Sequence, residues 1–316
     1  MSQISLSTMW AKGRFGNMTE FVIKAKELGF THVEASASVS PLALTELIKT
    51  SVPISSIHSP CPAVLSSKGI PVANLSLSSI EKSEREEAVD FAKKTIDLAS
   101  KVGATAVIIH IGEMPINLGL EDKLRQLYKQ HLAQTKEYSR VKEQLVYQRV
   151  SKVSPFLEAA RESLTELSRY SQGKGIMLGL ETRFYFHEIP NIDEMEELLK
   201  ETKGRRVGYW HDVGHAEVQQ RLGFASHEEW LSRFENRMIG VHLHDVLGIS
   251  DHRPPGKGDV NWDMVAKHLP RAPRQIKSGE EWAILDRVIR VCEIAEWNGE
   301  RQIQGVVTFL QGKGIL

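Results

Sequence analysis

The chain has 316 residues, of which 41% are hydrophobic and 25% charged, a composition typical of a globular protein with a large core. Its 40 basic and 40 acidic residues give zero formal net charge, which argues against a dedicated nucleic-acid partner but leaves a local basic patch open. Two cysteines, Cys61 and Cys292, do not make a disulfide framework. Without a signal peptide or a membrane-length apolar run, we expect a cytoplasmic protein with no membrane partner.

Short β-rich runs alternate with amphipathic helical runs along the whole chain. The predicted strands are 4–10, 31–35, 52–58, 104–110, 176–181, 207–210, 238–244 and 288–294. The predicted helices are 17–28, 41–49, 83–101, 192–201, 228–236, 262–268 and 302–311. Eight such strands predict a closed (β/α)8 TIM barrel in a single domain, residues 1–316. A doubly wound open sheet is the alternative, weakened because no Gly-rich phosphate loop follows the first strand.

Two segments do not fit a regular strand-helix unit. Residues 121–170 are charged and helical but too long for one barrel helix. We therefore predict a helical excursion or hairpin between strands 4 and 5, broken near Pro155. Its charged surface is interpreted as a solvated face or a homo-oligomer contact. Residues 270–287 receive no assignment.

Potential metal ligands stand at the ends of the predicted strands. Carboxylates and imidazoles together bind divalent metals, and catalytic groups of a barrel lie at the carboxyl ends of its strands. The sequence therefore predicts a metal-dependent active site at one mouth of the barrel. The strand-end candidates are His58, His110, Glu181, Asp212, His242 with His244, and Glu293, with His32 and Glu34 as weaker candidates.

Spacing refines the densest part of this set. Asp212 and His215 are three residues apart, which suits a shared metal site. His242 and His244 point to the same face of their strand. One is expected to be a metal ligand and the other a substrate contact, and the sequence does not decide which is which. His211 has the opposite parity to Asp212 and is expected to point away from the mouth.

Basic residues are the predicted substrate contacts. A buried carboxylate at Glu181 needs a cationic partner, which Arg183 supplies. The glycines of loop 254–258, Pro-Pro-Gly-Lys-Gly, permit close backbone approach to a ligand. Arg253 and Lys257 beside them are placed to hold a hydroxyl, carboxylate or phosphate. The alternative for this loop is an ordinary tight turn with solvated charges.

These motifs resemble the xylose isomerase-like barrel superfamily, which contains sugar and sugar phosphate isomerases and epimerases together with endonuclease IV. The resemblance covers roughly residues 4–262 and 288–316. Its most specific stretches are His58-Ser-Pro, Leu98 through His110-Ile-Gly, Gly179-Leu-Glu181, Asp212-Val-Gly-His215, His242-Leu-His-Asp and Pro255-Gly-Lys-Gly.

For the isomerases and epimerases, the resemblance implies one divalent metal (Mn, Mg, Co or Zn) and a small carbohydrate substrate. The metal ligands would be Glu181, Asp212, His242 (or His244) and Glu293. Glu181 and Glu293 would also be the catalytic carboxylates that move a proton beside a metal-polarised carbonyl. The expected substrate contacts are His58, His110, Arg183, His215, His244, Arg253 and Lys257.

Two alternatives remain open within this resemblance. An endonuclease IV-like zinc enzyme that cleaves abasic DNA would use additional ligands in a multinuclear centre. The chain departs from the nuclease pattern at the ligands of the third metal. In the nuclease one residue separates the Asp from the His, whereas Asp251 and His252 are adjacent here. A metal-dependent polyol dehydratase would follow the same proton abstraction with loss of water. The additional multinuclear ligands would be His58, His110, His215, Asp251 and His252.

Overall fold

The structure is a computed structural model that describes residues 3–269, 274–278, 281–285 and 288–316. Eight parallel strands close into a barrel in which each strand pairs with its neighbours in chain order and the first strand pairs with the last. This confirms the predicted TIM barrel and shows that the open-sheet alternative is wrong. The strands are β1 (Ser5–Ser7), β2 (His32–Ala35), β3 (Ile54–His58), β4 (Ala106–Ile109), β5 (Met177–Glu181), β6 (Val207–Asp212), β7 (Met238–Leu243) and β8 (Ile289–Cys292).

Helices surround the barrel, and within the described ranges none is long and apolar enough to cross a membrane. They are α1 (Met18–Glu27), α2 (Pro41–Lys49), α3 (Lys82–Val102), α4 (Leu118–Lys129), α5 (Lys136–Lys174), α6 (Ile192–Glu201), α7 (Val213–Arg221), α8 (His227–Phe234), α9 (Trp262–His268), α10 (Glu300–Ile303) and α11 (Val306–Gly312). Short 3-10 helices lie at Thr8–Ala11, Val72–Asn74 and Glu235–Arg237. Three antiparallel pairs join Gly112–Glu113 to Glu188–Ile189, Asp245–Leu247 to Ser250–Arg253, and Arg274–Ser278 to Glu281–Leu285.

The excursion between β4 and β5 is a helical hairpin, as predicted, formed by α4 and α5. The predicted break near Pro155 is wrong, because α5 continues through it. The helix is held on both sides of the proline. Before it, Tyr138 and Leu145 pack against α4, and after it, Leu164 joins the main core. A proline removes one backbone N–H donor, and the packing on each side outweighs that loss.

Helix α7 and the hairpin 245–253 are among the elements that the sequence did not predict. Helix α7 begins directly after Asp212, whose side chain accepts a hydrogen bond from the backbone N–H of His215 at 2.6 Å. The hairpin 245–253 follows β7. The unassigned segment 270–287 contains the antiparallel pair 274–278 and 281–285, and its remaining residues lie outside the described ranges.

Trp210 fills the interior of the barrel below the predicted site. A Cβ atom at Gly240 would lie 2.1 Å from the Trp210 ring, and one at Gly179 would lie 2.8 Å from it. Both glycines are therefore required for β5 and β7 to close around this side chain. The ring centroids of His242 and Trp210 are 5.2 Å apart, so the indole packs directly beneath the candidate ligands at the strand ends.

Candidate metal centre and active site

Glu181, the last residue of β5, is the hub of the polar cluster. Its Oε2 lies 2.5 Å from Nε2 of His110 and 3.3 Å from Nε2 of His58. Its Oε1 lies 2.6 Å from Nδ1 of His242. One carboxylate thus joins β3, β4, β5 and β7, because the carboxyl ends of all four strands face the same mouth.

Asp212 ends β6 and begins α7. The same carboxylate that caps α7 lies 3.5 Å from Nδ1 of His242. Nε2 of His244 also contacts it, at 2.9 Å. Nδ1 of His244 accepts the backbone N–H of His252 at 2.9 Å. Both nitrogens of His244 are thereby engaged, and its fully buried ring orients Asp212 instead of facing the cavity.

Glu34 supports His242 from the opposite side. Its Oε1 lies 3.2 Å from Nε2 of His242, and its Oε2 accepts the hydroxyl of Ser56 at 2.7 Å. A proton on Nε2 leaves Nδ1 free as a ligand atom, the usual carboxylate-histidine arrangement behind a metal. The sequence ranked Glu34 as a weak candidate. Its position inside a buried strand, where a carboxylate needs a partner, was the available signal.

Among the described residues, three groups of side chains bring their ligand atoms within 4.8 Å of one another. Two of the groups share Glu181, and the third lies where α7 meets the hairpin 245–253. This convergence covers every metal ligand expected from the sequence except Asp251. The groups are Glu181, Asp212, His242 and Glu293; His58, His110 and Glu181; and His215, His244 and His252.

Asp251 and His252 both face the cavity although they are adjacent in sequence. Asp251 Oδ2 lies 3.6 Å from Nε2 of His252 and 3.8 Å from Nε2 of His215. In a regular strand, adjacent side chains would point to opposite faces. His252 has a left-handed backbone (φ 52°), which interrupts that alternation. The unusual spacing is therefore compatible with a third ligand group.

The charges of the cluster stabilise one another. Burial opposes ionisation of Glu181, but the imidazoles of His242 and His110 hold its pKa well below the usual value. Burial likewise opposes ionisation of Asp212, and His215 and His244 lower its pKa. Burial disfavours protonation of His242, but Glu293, Glu34 and Glu181 raise its pKa well above the usual value. A metal at His242 would therefore compete with a proton.

A cavity of about 480 Å³ opens above this cluster at the carboxyl ends of the strands. Its rim carries Tyr185, whose side chain is partly exposed. Several predicted site residues do not line it: Asp212 and His242 lie beneath it, and His244 lies behind Asp212. The predicted site residues that line the cavity are His58, His110, Glu181, Arg183, His215, Asp251, His252 and Glu293.

Arg183 is buried in the cavity wall. Nη2 donates to Glu188, and Nη1 lies 3.7 Å from Oε2 of Glu181 without a hydrogen bond of its own. Gln219 donates to the Arg183 carbonyl. Burial opposes ionisation of Glu188, but Arg183 lowers the pKa of that carboxyl to about 2. The predicted partnership with Glu181 is thus accompanied by a closer one with Glu188.

The loop after the hairpin is held by a side chain that the sequence did not single out. Asp245 accepts hydrogen bonds from the backbone of Gly256 and Val260 and from the indole of Trp262. A Cβ at Gly258 would lie 2.4 Å from Asp245. Gly258 is therefore required for the loop to pack closely against Asp245.

The two predicted basic contacts near this loop lie outside the cavity. Lys257 is exposed on the turn that its N–H closes with the carbonyl of Pro254. The Arg253 guanidinium lies 5.2 Å above the ring of Trp297. Neither side chain lines the cavity, so their assignment as substrate contacts remains a prediction.

His211 lies outside the barrel, as its parity predicted. Its Nδ1 is 2.7 Å from the hydroxyl of Tyr209, and its Nε2 is 3.1 Å from Nε2 of His227. Glu217 lies 2.9 Å from the other nitrogen of His227. This buried chain of hydrogen bonds fastens α7 and α8 to β6, and so fixes the position of Asp212.

The donor set fits a divalent cation. Glu34, Glu181, Asp212 and Glu293 are each at most 4% exposed. Burying several carboxylates together is unfavourable without compensating positive charge, and Arg183 is engaged with Glu188. Mixed carboxylate and imidazole ligands suit Zn, Mn, Co and related ions.

Comparisons with known proteins agree with this fold. Two uncharacterised proteins are similar: one of Sinorhizobium fredii, 22% identical over 59% of this chain, and one of Methanocaldococcus jannaschii, 20% identical over 64% of it. The chain spans 50% and 64% of their lengths.

Solved structures with the same fold cover nearly the whole chain. A D-tagatose 3-epimerase-like protein (18% identity, TM-score 0.63) covers 99% of this chain and 97% of its own. L-ribulose 3-epimerase (12%, 0.66) covers 100% and 95%, and a zinc-bound IOLI protein (12%, 0.62) covers 99% and 98%. The profile of the xylose isomerase-like TIM barrel family matches residues 22–283. The chain therefore belongs to the xylose isomerase-like TIM barrel family.

Proposed function

We propose that the protein is a divalent-metal-dependent isomerase or epimerase of a small sugar or sugar-like carbonyl compound. The observation that carries this proposal is the convergence of Glu181, Asp212, His242 and Glu293 below the cavity. A cavity of about 480 Å³ is of the size that small-molecule sites have. The barrel shared with L-ribulose 3-epimerase and a D-tagatose 3-epimerase-like protein supports the same substrate class.

Each of the four residues has a role in this proposal. Glu181, Asp212, His242 and Glu293 would hold the metal. The bound ion would polarise a substrate carbonyl and the neighbouring hydroxyl. Glu34 would keep the Nε2 proton of His242, so that Nδ1 remains available as a ligand atom.

Proton transfer falls to the two glutamates. One takes the proton from the carbon beside the carbonyl, and the C–H electron pair becomes the double bond of an enediolate. The other returns a proton to that carbon or its neighbour. Glu181 and Glu293 come from β5 and β8, with two strands between them in the barrel, so they reach the substrate from different sides of the mouth. Arg183 Nη1 is the wall donor for a substrate oxygen.

A second candidate is a zinc enzyme that hydrolyses phosphodiesters, including abasic DNA. The specific observation that favours it is the presence of two further ligand groups, one of which shares Glu181 with the first. A carboxylate shared by neighbouring ligand groups is expected of a multinuclear centre. Such a centre would stabilise both the attacking and the leaving oxygen when a phosphodiester is hydrolysed. A polyol dehydratase would use the same first proton transfer and differs only in its product.

Metal content per chain, measured by elemental analysis of purified protein, separates the two candidates. About one equivalent, together with interconversion of a ketose or keto sugar in a substrate screen, supports the isomerase or epimerase. Two to three equivalents of zinc together with nicking of abasic DNA would establish the hydrolase instead. Loss of water from the product would identify a dehydratase.

A further inference from the structure

A smaller side cavity of about 190 Å³ adjoins the candidate active site. Ala37, His58 and His110 line both cavities, so the two spaces meet at the edge of the metal-ligand cluster. The rings of His58 and His110 stand edge to face with their centroids 4.5 Å apart. They form the boundary between a polar space on one side and the side cavity on the other.

The wall of the side cavity is mostly apolar, and its polar side chains are those of His58, Ser59 and His110. It is built by the segment around the 3-10 helix Val72–Asn74 and by one face of α3. Among the described residues that line it, none carries a carboxylate, ammonium or guanidinium group. The apolar side chains are Val72, Leu75, Leu77, Ala88, Phe91 and Ala92.

The polar backbone around the side cavity is largely paired within the protein. The N–H of Ser59 donates to the carbonyl of Ile108 at 2.9 Å, and that of Val72 to the carbonyl of Val64 at 3.0 Å. The N–H of Leu75 donates to the carbonyl of Val72 at 3.1 Å. Apart from Ser59 and the two histidines at the edge, the wall offers a sugar hydroxyl few partners for the hydrogen bonds that it would lose on leaving water. An apolar group would lose nothing there and would remove its surface from water.

The two cavities therefore suit the two ends of an amphiphilic molecule. An engineered apolar cavity of roughly 150 Å³ in another protein binds benzene. The side cavity, with about 190 Å³, is therefore large enough for one aromatic ring. The main cavity, by contrast, presents carboxylates, imidazoles and Arg183 to its ligand. A ligand spanning both would place its ring beyond His58 and His110 and its hydroxyls over the metal ligands.

We propose that the side cavity binds an apolar substituent, an aryl or short branched alkyl group, carried by the substrate. This inference rests on the proposed function and narrows it: the substrate is a carbonyl sugar derivative with an apolar substituent, not a free sugar. Phe91 and Ala92 of α3 are the residues that set the size of the accepted group, because they line the side cavity from a rigid helix.

The test compares two inert probes that differ only in this substituent, phenyl β-D-glucopyranoside and methyl β-D-glucopyranoside. Their affinities for the metal-loaded protein are measured by calorimetry. We expect the phenyl compound to bind roughly tenfold more tightly or better, as burial of one ring predicts. Ala92→Leu, which fills the side cavity, should remove the preference. Ser100→Leu, on the exposed face of the same helix, should retain it.

A second variant covers the case in which Ala92→Leu does not fold. Phe91→Ala enlarges the side cavity and should reduce the preference for phenyl over methyl while admitting a naphthyl glucoside. Equal affinities of the phenyl and methyl compounds for the unmodified protein would overturn the inference.

Phenol alone separates failure of this inference from failure of the proposed function. If neither glucoside binds, one-to-one phenol binding that is lost in Ala92→Leu supports the side cavity as a site and leaves the sugar proposal at fault. If phenol does not bind either, the apolar site is overturned. Turnover of free sugars without any preference for an aryl group would keep the proposed function and discard the side cavity.

Discussion

The cavities at the two ends of the barrel have similar volumes, but among the described residues acidic side chains line only one of them. The cavity at the carboxyl ends has about 480 Å³ and is lined by members of all three ligand groups. The one at the amino ends has about 440 Å³ and is lined by Ser5, His32, Ser55 and Arg290 among others. Within the described part of the chain, no Asp or Glu side chain lines this second cavity. Volume therefore does not locate the site, whereas buried carboxylates do.

The difference has a physical reason. A buried carboxylate is unfavourable unless a cation or several donors compensate it, so a group of them is retained only where their charge is used. At the carboxyl ends, Glu181, Asp212 and Glu293 share imidazole partners that are themselves candidate metal ligands. At the amino ends, His32 contacts the hydroxyl of Thr31 at 2.8 Å, an ordinary local hydrogen bond.

The strongest test of this contrast removes the hub of the carboxyl-end cluster. Glu181→Gln keeps the shape of the side chain but loses the charge that contacts His58, His110 and His242. We expect metal content to fall below one-tenth of the unmodified value and turnover to fall about 10³-fold, as for loss of a general base. Elemental analysis and a substrate assay measure both quantities. Unchanged metal content in a folded variant would show that Glu181 is not a ligand.

A smaller effect is expected from a residue that supports the cluster without lining the cavity. Glu34→Gln removes the charge beside Nε2 of His242. We expect the dissociation constant of the metal to rise about 10- to 100-fold, as for loss of a supporting carboxylate, with the cavity unchanged. Titration with a competing chelator measures it. Unaltered affinity would show that the charge of Glu34 is not needed to orient His242.

Glu34 also illustrates what the sequence could and could not predict. The parity of side chains along β6 and β7 placed His211 outside and Asp212 and His242 inside, because strand alternation is a local property. The approach of Glu34 to His242 joins residues 208 positions apart, and depends on which strands become neighbours when the barrel closes. Local patterns carry no such information.

Two other differences arise from the same limit. His252 adopts a left-handed backbone that brings Asp251 beside the third group, and the strand pattern of the sequence does not show at which residue the alternation is interrupted. Helix α5 passes through Pro155 because α4 and the main core hold both of its halves. The strands, most helices and the ligand candidates followed from periodicity, whereas these features depend on tertiary packing.

A charged residue near the carboxyl ends of the strands, but outside the three ligand groups, should affect the stability of the fold and not the binding of metal. His187 lies 2.9 Å from Glu121 and 3.7 Å from Glu113. Burial opposes its protonation, but these carboxylates raise its pKa to about 9. Because the folded pKa lies above the unfolded value near 6.5, the stabilisation is complete below pH 6.5 and is lost as pH rises through about 9.

The corresponding variant is His187→Gln. We expect a difference of about 1 to 2 kcal/mol in the free energy of unfolding at pH 6, which shrinks towards zero above pH 9. Denaturant unfolding at a series of pH values measures it, and metal content should not change. A difference that stays constant from pH 6 to pH 10 would mean that packing, not charge, explains the contribution of His187.

The smallest effect is expected at the amino end. His32 lines the second cavity, is about half-buried, and has no carboxylate partner among the described contacts. Burial alone lowers its pKa, so it is neutral at pH 7 and carries no charge that a metal or substrate would use. His32→Asn should leave metal content unchanged, turnover within about twofold, and unfolding free energy within about 0.5 kcal/mol. The same assays used for Glu181→Gln measure these values. A large loss of turnover here, with the metal retained, would mean that the cavity at the amino ends takes part in the reaction, and that buried charge is not a sufficient guide to function in this barrel.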